Sequence, residues 1–295
     1  AFRVEEEKKG KPNPEAYRDA YSLRIVSDLS KEIRGATINI QPYLRSVGMK
    51  FLQHFLPGQP EERNGHDSFG LSLVAQSNQW WSFGADIEFT QGFLKETQES
   101  AVQGSRFLSA TLPPGKHYDY EVDASLFGLF IRADHPLSEK ASITGGVRFQ
   151  YTNYRYDNKM INGRTKEDGT TCGFGGCRFS RPSDREDSFS NLSPNIGFIY
   201  KFNSSSQAYA SLARGFRAPQ TTELYRLQNQ QEVANIDEVE LDSIEIGFRS
   251  QGKRSVFSIS AFSMKKDNFI FRDTQRQNVD GGETSHEGLE LALDY

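Results

Sequence analysis

The amino-acid sequence predicts an all-β protein, an antiparallel transmembrane β-barrel, and three observations carry that expectation. Apolar residues recur at every second position through most of the chain. Charged residues sit deep inside the same segments, on the opposite parity. Tight connections alternate with long polar ones from end to end. Period 2 sets successive side chains on opposite faces of a strand, so each segment has one apolar and one polar face.

Taken in order, residues 1–17, with Glu5, Glu6, Glu7, Lys8 and Lys9, read as a loop, and segment 18–30 as a strand. A clean alternation starts at Ala36, where Ile38, Ile40, Pro42 and Leu44 oppose Thr37, Asn39, Gln41, Tyr43 and Arg45. It returns at Phe69, Leu71, Leu73 and Ala75, then at Trp81, Phe83, Ala85, Ile87 and Phe89 against Asp86 and Glu88. Segment 119–134 is strand-like with weaker alternation, and Ile143, Val147, Phe149 and Tyr151 follow against Arg148. Ile196, Phe198, Tyr200 and Phe202 make the next strand, 207–216 another, and Ile244, Ile246 and Phe248 oppose Glu245 and Arg249. Segment 253–271 and the run Leu289, Leu291, Leu293, Tyr295 against Glu290 and Asp294 complete about eleven strands. Short connections fall at 31–35, 78–79, 138–140, 203–207 and 251–254. Long polar stretches fall at 52–66, 96–118, 158–187, 217–239 and 273–283.

A soluble domain seldom repeats long loops of this kind, whereas an outer-membrane barrel has tight turns on one side and long loops on the other. Several strands exceed the 9–11 residues, roughly, of a tilted membrane crossing, so they are expected to project beyond the bilayer. The aromatic residues collect near strand ends (Trp80, Trp81, Phe89, Phe149, Tyr151, Phe198, Phe202), where the girdles of a barrel lie. Composition excludes other classes. The 295 residues are 36% hydrophobic with a formal net charge of −4, which suits neither a basic nucleic-acid binder nor a disordered chain. The sequence contains no apolar run long enough for a helical span, and two Cys are too few for a disulfide scaffold. Single-chain bacterial barrels use even strand numbers, so eleven strands, an opening at Ala1 without a leader pattern and an end inside an alternation are read as a piece of a larger barrel.

One stretch resembles a known family. Ala208-Tyr209-Ala210-Ser211-Leu212-Ala213-Arg214-Gly215-Phe216-Arg217-Ala218-Pro219, continuing to Thr222-Glu223-Leu224-Tyr225, is similar to the Gly-Phe-Arg-Ala-Pro signature of TonB-dependent outer-membrane receptors. Ser243-Ile244-Glu245-Ile246-Gly247 resembles that family's Ser-x-Glu-x-Gly strand, Lys266-Asp267-Asn268-Phe269-Ile270 its Asp-x-Ile strand end, and Gly288-Leu289-Glu290 its Gly-Val-Glu strand. The Pro-Glu that usually precedes the Ser-x-Glu-x-Gly strand is here Val239-Glu240. The specific resemblance covers residues 190–295. It implies a 22-stranded barrel closed by an N-terminal plug, of which this chain would be about half, without the plug or the last strands. It further implies active import of a scarce nutrient, most often a ferric siderophore, driven by TonB through the plug, in the outer membrane of a Gram-negative bacterium. No catalytic residue, cofactor, resident metal or nucleic acid is expected; the partners are TonB, a small-molecule ligand and outer-membrane lipid.

Candidate ligand contacts are aromatic and Arg residues of the long loops, Tyr154, Tyr156, Arg217, Tyr225 and Arg226. Aromatic rings stack on flat ligands and Arg pairs with anionic oxygens; against this, Arg217 belongs to the signature itself, and a motif shared across many ligands reads as structural before it reads as a ligand contact. Cys172-Gly-Phe-Gly-Gly-Cys177 lies in one glycine-rich loop and is read as a disulfide clamping its tip, since an oxidising compartment favours it. A thiol metal site would need further ligands, and no His lies in that loop. His54, His66, His117, His135 and His286 are scattered without ligand spacing; the first three are expected in loops. Glu232, Asp237, Glu238, Glu240 and Asp242 match no EF-hand spacing and read as a solvated acidic loop. A passive porin, which needs no plug, and an outer-membrane hydrolase, which needs a Ser, His and acid at one height, are the competing classes; the family-like strands oppose the first and no motif supports the second.

Overall fold

The structure is a computed structural model that describes residues 15–77 and 80–295. The charged run at 5–9 and the expected turn at 78–79 lie outside the described residues. Nearly all of the rest is one antiparallel sheet whose strands follow one another in chain order. They are β1 (Arg18–Val26), β2 (Leu29–Ile33), β3 (Ala36–Leu52), β4 (Glu61–Ser77), β5 (Trp81–Gln98), β6 (Gly115–Pro136) and β7 (Ala141–Asn158). β9 (Arg185–Lys201), β10 (Ser206–Arg217), β12 (Val239–Gln251), β13 (Val256–Arg272) and β14 (Asn278–Asp294) continue it. Two short strands, β8 (Phe179–Ser180) and β11 (Leu227–Gln228), pair with each other inside the long loops, which also hold helices α1 (Arg106–Thr111) and α2 (Thr221–Tyr225). β1 and β2 form one edge and β14 the other, so the sheet is an arc of barrel wall, as the sequence predicts. Among the described residues no helix is long and apolar enough to cross a membrane.

β1 and β2 occupy a single position beside β3, which leaves eleven strand positions in the wall. Their register against β3 is continuous, with Val26 opposite Tyr43 and Leu29 opposite Ile40. The interruption at Ser27 and Asp28 has a local cause. Ser27 N–H donates to the Pro42 carbonyl at 3.1 Å, but Pro42 has no N–H with which to answer. The hairpin then turns at Arg34 and Gly35, both in the left-handed region (φ 50° and 79°) that a two-residue hairpin turn requires.

The apolar parity is aligned from strand to strand: Leu44 opposite Phe69, Phe69 opposite Phe89, Ile196 opposite Leu212, Leu212 opposite Ile244. These side chains are exposed on the outer face, as a lipid-facing wall requires. The polar parity bonds across the strands. Arg45 reaches Glu88 at 2.9 Å, Arg148 reaches Asp86 at 2.6 Å, and Tyr43 and Tyr209 donate to Glu88 and Glu245. Glycines on this inner face make room for rings: a Cβ at Gly70 would overlap Tyr43, and one at Gly247 would overlap Tyr209.

At the end bearing the long loops, the strands extend past the sequence expectation. Residues 61–66 open β4, 115–118 open β6 and 278–283 open β14, although all read as loop in the sequence. There the outer face is polar too. Lys95 pairs with Asp119, Arg155 with Asp123 and Arg214 with Asp242, each pair directly across a ladder. Above the lipid band water wets both faces, so hydrophobic periodicity vanishes while the hydrogen-bonded ladder continues. For the same reason His66 and His117 stand on β4 and β6 rather than in loops, and Glu240 and Asp242 on β12.

Candidate ligand chamber and its loop roof

The largest buried cluster lies above the lipid band, where the loops fold onto the inner face. Residues 218–238 lay Leu224, Tyr225, Leu227, Ala234 and Ile236 against Tyr118, Tyr120 and Tyr156 of the wall. Tyr225 stacks on Tyr156 with centroids 4.3 Å apart, and its hydroxyl donates to Asp187 at 2.8 Å. Burial of that ring, together with the neighbouring Asp187 carboxylate, pushes the Tyr225 phenol well above its ordinary pKa. The turn that delivers it is fixed locally: Gln220 and Glu223 form a capping box at α2, and Glu223 also takes both guanidinium nitrogens of Arg217 at 2.8 and 3.1 Å. β8 and β11 join this loop to the 159–184 loop, in which Cys172 and Cys177 form a disulfide. Arg164 donates to the carbonyls of Cys177 and Gly175 and closes the same tip.

An ionic centre pins the roof to the wall. Glu62 and Glu96 face each other directly across β4 and β5, both about 5% exposed. Arg226 enters from the roof, 3.0 Å from Glu62 and hydrogen-bonded to Glu96 and to Gln53. His117 completes the group, with Nδ1 3.1 Å from Glu96 and Nε2 2.9 Å from the Pro113 carbonyl. Burial alone pushes the Glu96 carboxyl up, but the hydrogen bond from His117 and the charge of Arg226 outweigh it and hold it below the usual range.

Beneath α2, on the inner face, a chamber of about 480 Å³ opens toward the lumen. Arg45, His66, Glu88 and Tyr154 line it, and Thr221 and Thr222 form its ceiling. It presents a cation, a carboxylate, an imidazole and a phenol on one wall, which suits reversible capture of a polar solute. Among the described residues no group of three or more His, Cys, Asp or Glu is placed to hold a metal ion.

The five ligand candidates from the sequence therefore have different placements. Tyr154 and Tyr156 stand on β7 rather than in a loop, and Tyr154 borders the chamber. Arg217 is part-exposed and engaged with Glu223. Tyr156 and Tyr225, 1% and 0% exposed, lie inside the roof core, and Arg226 is spent in the ionic centre. Sequence reading placed Arg45 and Glu88 on the polar parity without pairing them, and it did not single out Gln53, Glu62 or Glu96. The strand register was the available signal: it sets Glu62 opposite Glu96, and two carboxylates facing each other across a ladder call for a cation between them.

In overall shape the chain is similar to several solved structures. Against the ferric yersiniabactin uptake receptor FyuA from Yersinia pestis the TM-score is 0.68 at 11% identity, covering 96% of this chain and 41% of that one. Against the ferric-catecholate import receptor Fiu from K12 E. coli it is 0.66 at 13% identity, covering 95% and 45%. Against the copper transporter OprC it is 0.66 at 14% identity, covering 94% and 44%. At such identities the likeness is one of fold, and the chain spans less than half the length of each. No curated protein matches it in sequence. The family model described as TonB dependent receptor-like, beta-barrel matches residues 17–295, essentially the entire wall and its roof, and the chain belongs to that family.

Proposed function

We propose that this chain supplies barrel wall and extracellular loops to an outer-membrane receptor that imports a scarce nutrient, with a ferric siderophore as the favoured cargo. Its family is one of receptors and transporters of the Gram-negative outer membrane, not of enzymes. The observation that carries the reading is the pairing of two unlike faces. The outer face carries an apolar band along the middle of the strands, while the inner face carries a polar chamber under loops that are fixed to the wall by a buried core and an ion pair. A passive pore needs no such organised ceiling; a receptor that captures before it transports does. Similar structures include a ferric yersiniabactin uptake receptor, a ferric-catecholate import receptor and a ferric citrate transporter, which favours an iron complex here. In this reading the plug and remaining strands belong to the rest of the receptor and TonB acts through the plug. Tyr154 and Arg217 are the contacts offered to cargo, while Tyr156, Tyr225 and Arg226 act by positioning the roof.

The test is uptake. The full-length gene, expressed in an iron-starved host lacking its own receptors, should support accumulation of radiolabelled iron from a siderophore panel in cells with TonB and none in cells without it. Uptake that is indifferent to TonB, together with unselective conductance of the purified protein in a planar bilayer, would assign it to the porins instead.

A further inference from the structure

A second cavity, of about 360 Å³, lies higher in the roof among the loops that follow β3, β5, β7, β10 and β13. Part of its wall is apolar or aromatic, with Leu56, Pro57, Leu112, Tyr118 and Phe179 there. Its charge is unbalanced. Arg178, Arg226 and Arg276 line it with one carboxylate, Glu96; Arg226 is matched by Glu62 and Glu96, which leaves the charges of Arg178 and Arg276. Among the described residues, neither Arg178 nor Arg276 has a carboxylate within ion-pair distance, although Arg178 is half-buried. The positive charge does not end at the wall. Immediately behind Phe179, Arg181 is 1% exposed and stacks on that ring at 5.2 Å. It donates only to neutral oxygens, the carbonyls of Ile161, His117 and Thr165 and the Thr165 hydroxyl. A buried guanidinium without a counter-charge projects its field into the nearest space that water or a ligand can enter. The buried Nε of Arg226, a further donor on this cavity, has no acceptor. Burial and the nearby charge of Arg276 both push the Arg178 pKa down, as expected of a cation lacking its partner.

We infer that this cavity is an anion-binding site, with Arg178 and Arg276 as its charge-pairing donors and the Tyr118 and Phe179 rings as its apolar floor. The ligand class is a compact anion that presents carboxylate or catecholate oxygens beside a flat or apolar body. Planar guanidinium forks match such oxygens two at a time. This rests on the receptor reading above and narrows it: the cargo carries net negative charge, and the roof holds it before it reaches the chamber below.

The test uses the purified full-length receptor and three iron(III) probes, the citrate complex, an anionic tris-catecholate complex and a neutral tris-hydroxamate complex. Binding is measured by titration calorimetry at low and high salt. At least one anionic probe should bind, at least tenfold more tightly than the neutral probe, and more weakly as salt rises. The double variant Arg178→Gln/Arg276→Gln should bind that probe at least tenfold more weakly, while Arg254→Gln, in the short turn at the opposite end of the sheet, should bind it as wild type does. Retention of the heat-modifiable mobility of a folded barrel on gels guards against a misfolded double variant. The inference is overturned if neither anionic probe binds, if the neutral probe binds as tightly, or if the double variant keeps wild-type affinity. Uptake separates this from the importer reading. TonB-dependent uptake that is unchanged in the double variant removes the anion site and leaves the importer; arginine-dependent binding without TonB-dependent uptake does the reverse.

Discussion

Replacing Arg226 by Ala should detach the roof from the wall, and the size of the effect follows from the register. Glu62 and Glu96 oppose each other across β4 and β5, in a setting almost closed to water. Without the guanidinium, Glu62 keeps Gln53 and Asn64, and Glu96 keeps His117. The least costly relief is to protonate one carboxylate. From an ordinary Glu pKa of about 4.3 and about 1.36 kcal/mol per pH unit, that costs about 3.7 kcal/mol at pH 7 and about 1 kcal/mol at pH 5. The first figure falls within the roughly 3–5 kcal/mol expected when one partner of a buried ion pair is removed. The pH dependence reverses sign between the two proteins. In wild type the Glu96 pKa is depressed, so its contribution is present above the unfolded value and is lost as pH falls through the folded one. In Arg226→Ala a carboxyl is raised instead, so the penalty is full at neutral pH and relieved as pH falls toward the unfolded pKa. Amide hydrogen exchange over 218–238 in the full-length receptor, corrected for intrinsic rates, reads the opening directly. Protection should fall about 500-fold at pH 7 and about fivefold at pH 5. A loss below threefold at pH 7, or one equally large at both pH values, would refute the account of the ionic centre.

Other consequences are quicker to check. Ile246 is 58% exposed on the apolar face, so Ile246→Arg should cost about 2–4 kcal/mol of barrel stability, whereas Glu245→Gln, which keeps an acceptor for Tyr209 on the inner face, should cost under about 1 kcal/mol; urea titration of the folded barrel in detergent or vesicles compares them. Gly70→Ala should cost about 1–3 kcal/mol by driving the Tyr43 ring off its Glu88 bond, and Gly145→Ala, where a Cβ meets nothing within 4 Å, should cost far less in the same titration. Reducing Cys172–Cys177 should leave the global unfolding midpoint within error, because the bond closes a separation of five residues, while residues 164–177 become more sensitive to protease.

The wall was legible in the sequence because two solvents wrote it. Lipid on one side and a wet lumen on the other force a strict alternation, and strands such as β4, β5 and β12 show it within their middle residues. The limits of legibility have physical causes as well. Where β4, β5 and β6 leave the lipid band, both faces meet water, so residues 61–66 and 115–118 carry no alternation and resemble loop. Segment 119–134 alternates weakly because Phe130 turns inward to cover Gly84, a choice made by the neighbouring strand. At Pro42 the hydrophobic pattern runs on while the backbone bonding is interrupted, so a single strand by register is divided by one missing donor.

The roof was much less legible, because its partners are far apart in the chain and its chemistry is decided only where they meet. Tyr154, Tyr156, Tyr225 and Arg226 were all picked out as aromatic or cationic loop residues, and composition treats them alike. The fold separates them by what waits on the wall opposite. Tyr225 meets Tyr156 and both are buried, Arg226 meets Glu62 and Glu96 and is neutralised, and Tyr154, against Phe189 at the margin of the core, borders the chamber. An Arg in a loop is therefore free for ligand only if the wall above which it lies has no carboxylate to offer. By that rule the cations to follow among those lining the roof cavity are Arg178 and Arg276, neither of which stood out in the sequence, because what distinguishes them is a place on that cavity with no carboxylate of the described residues in ion-pair reach.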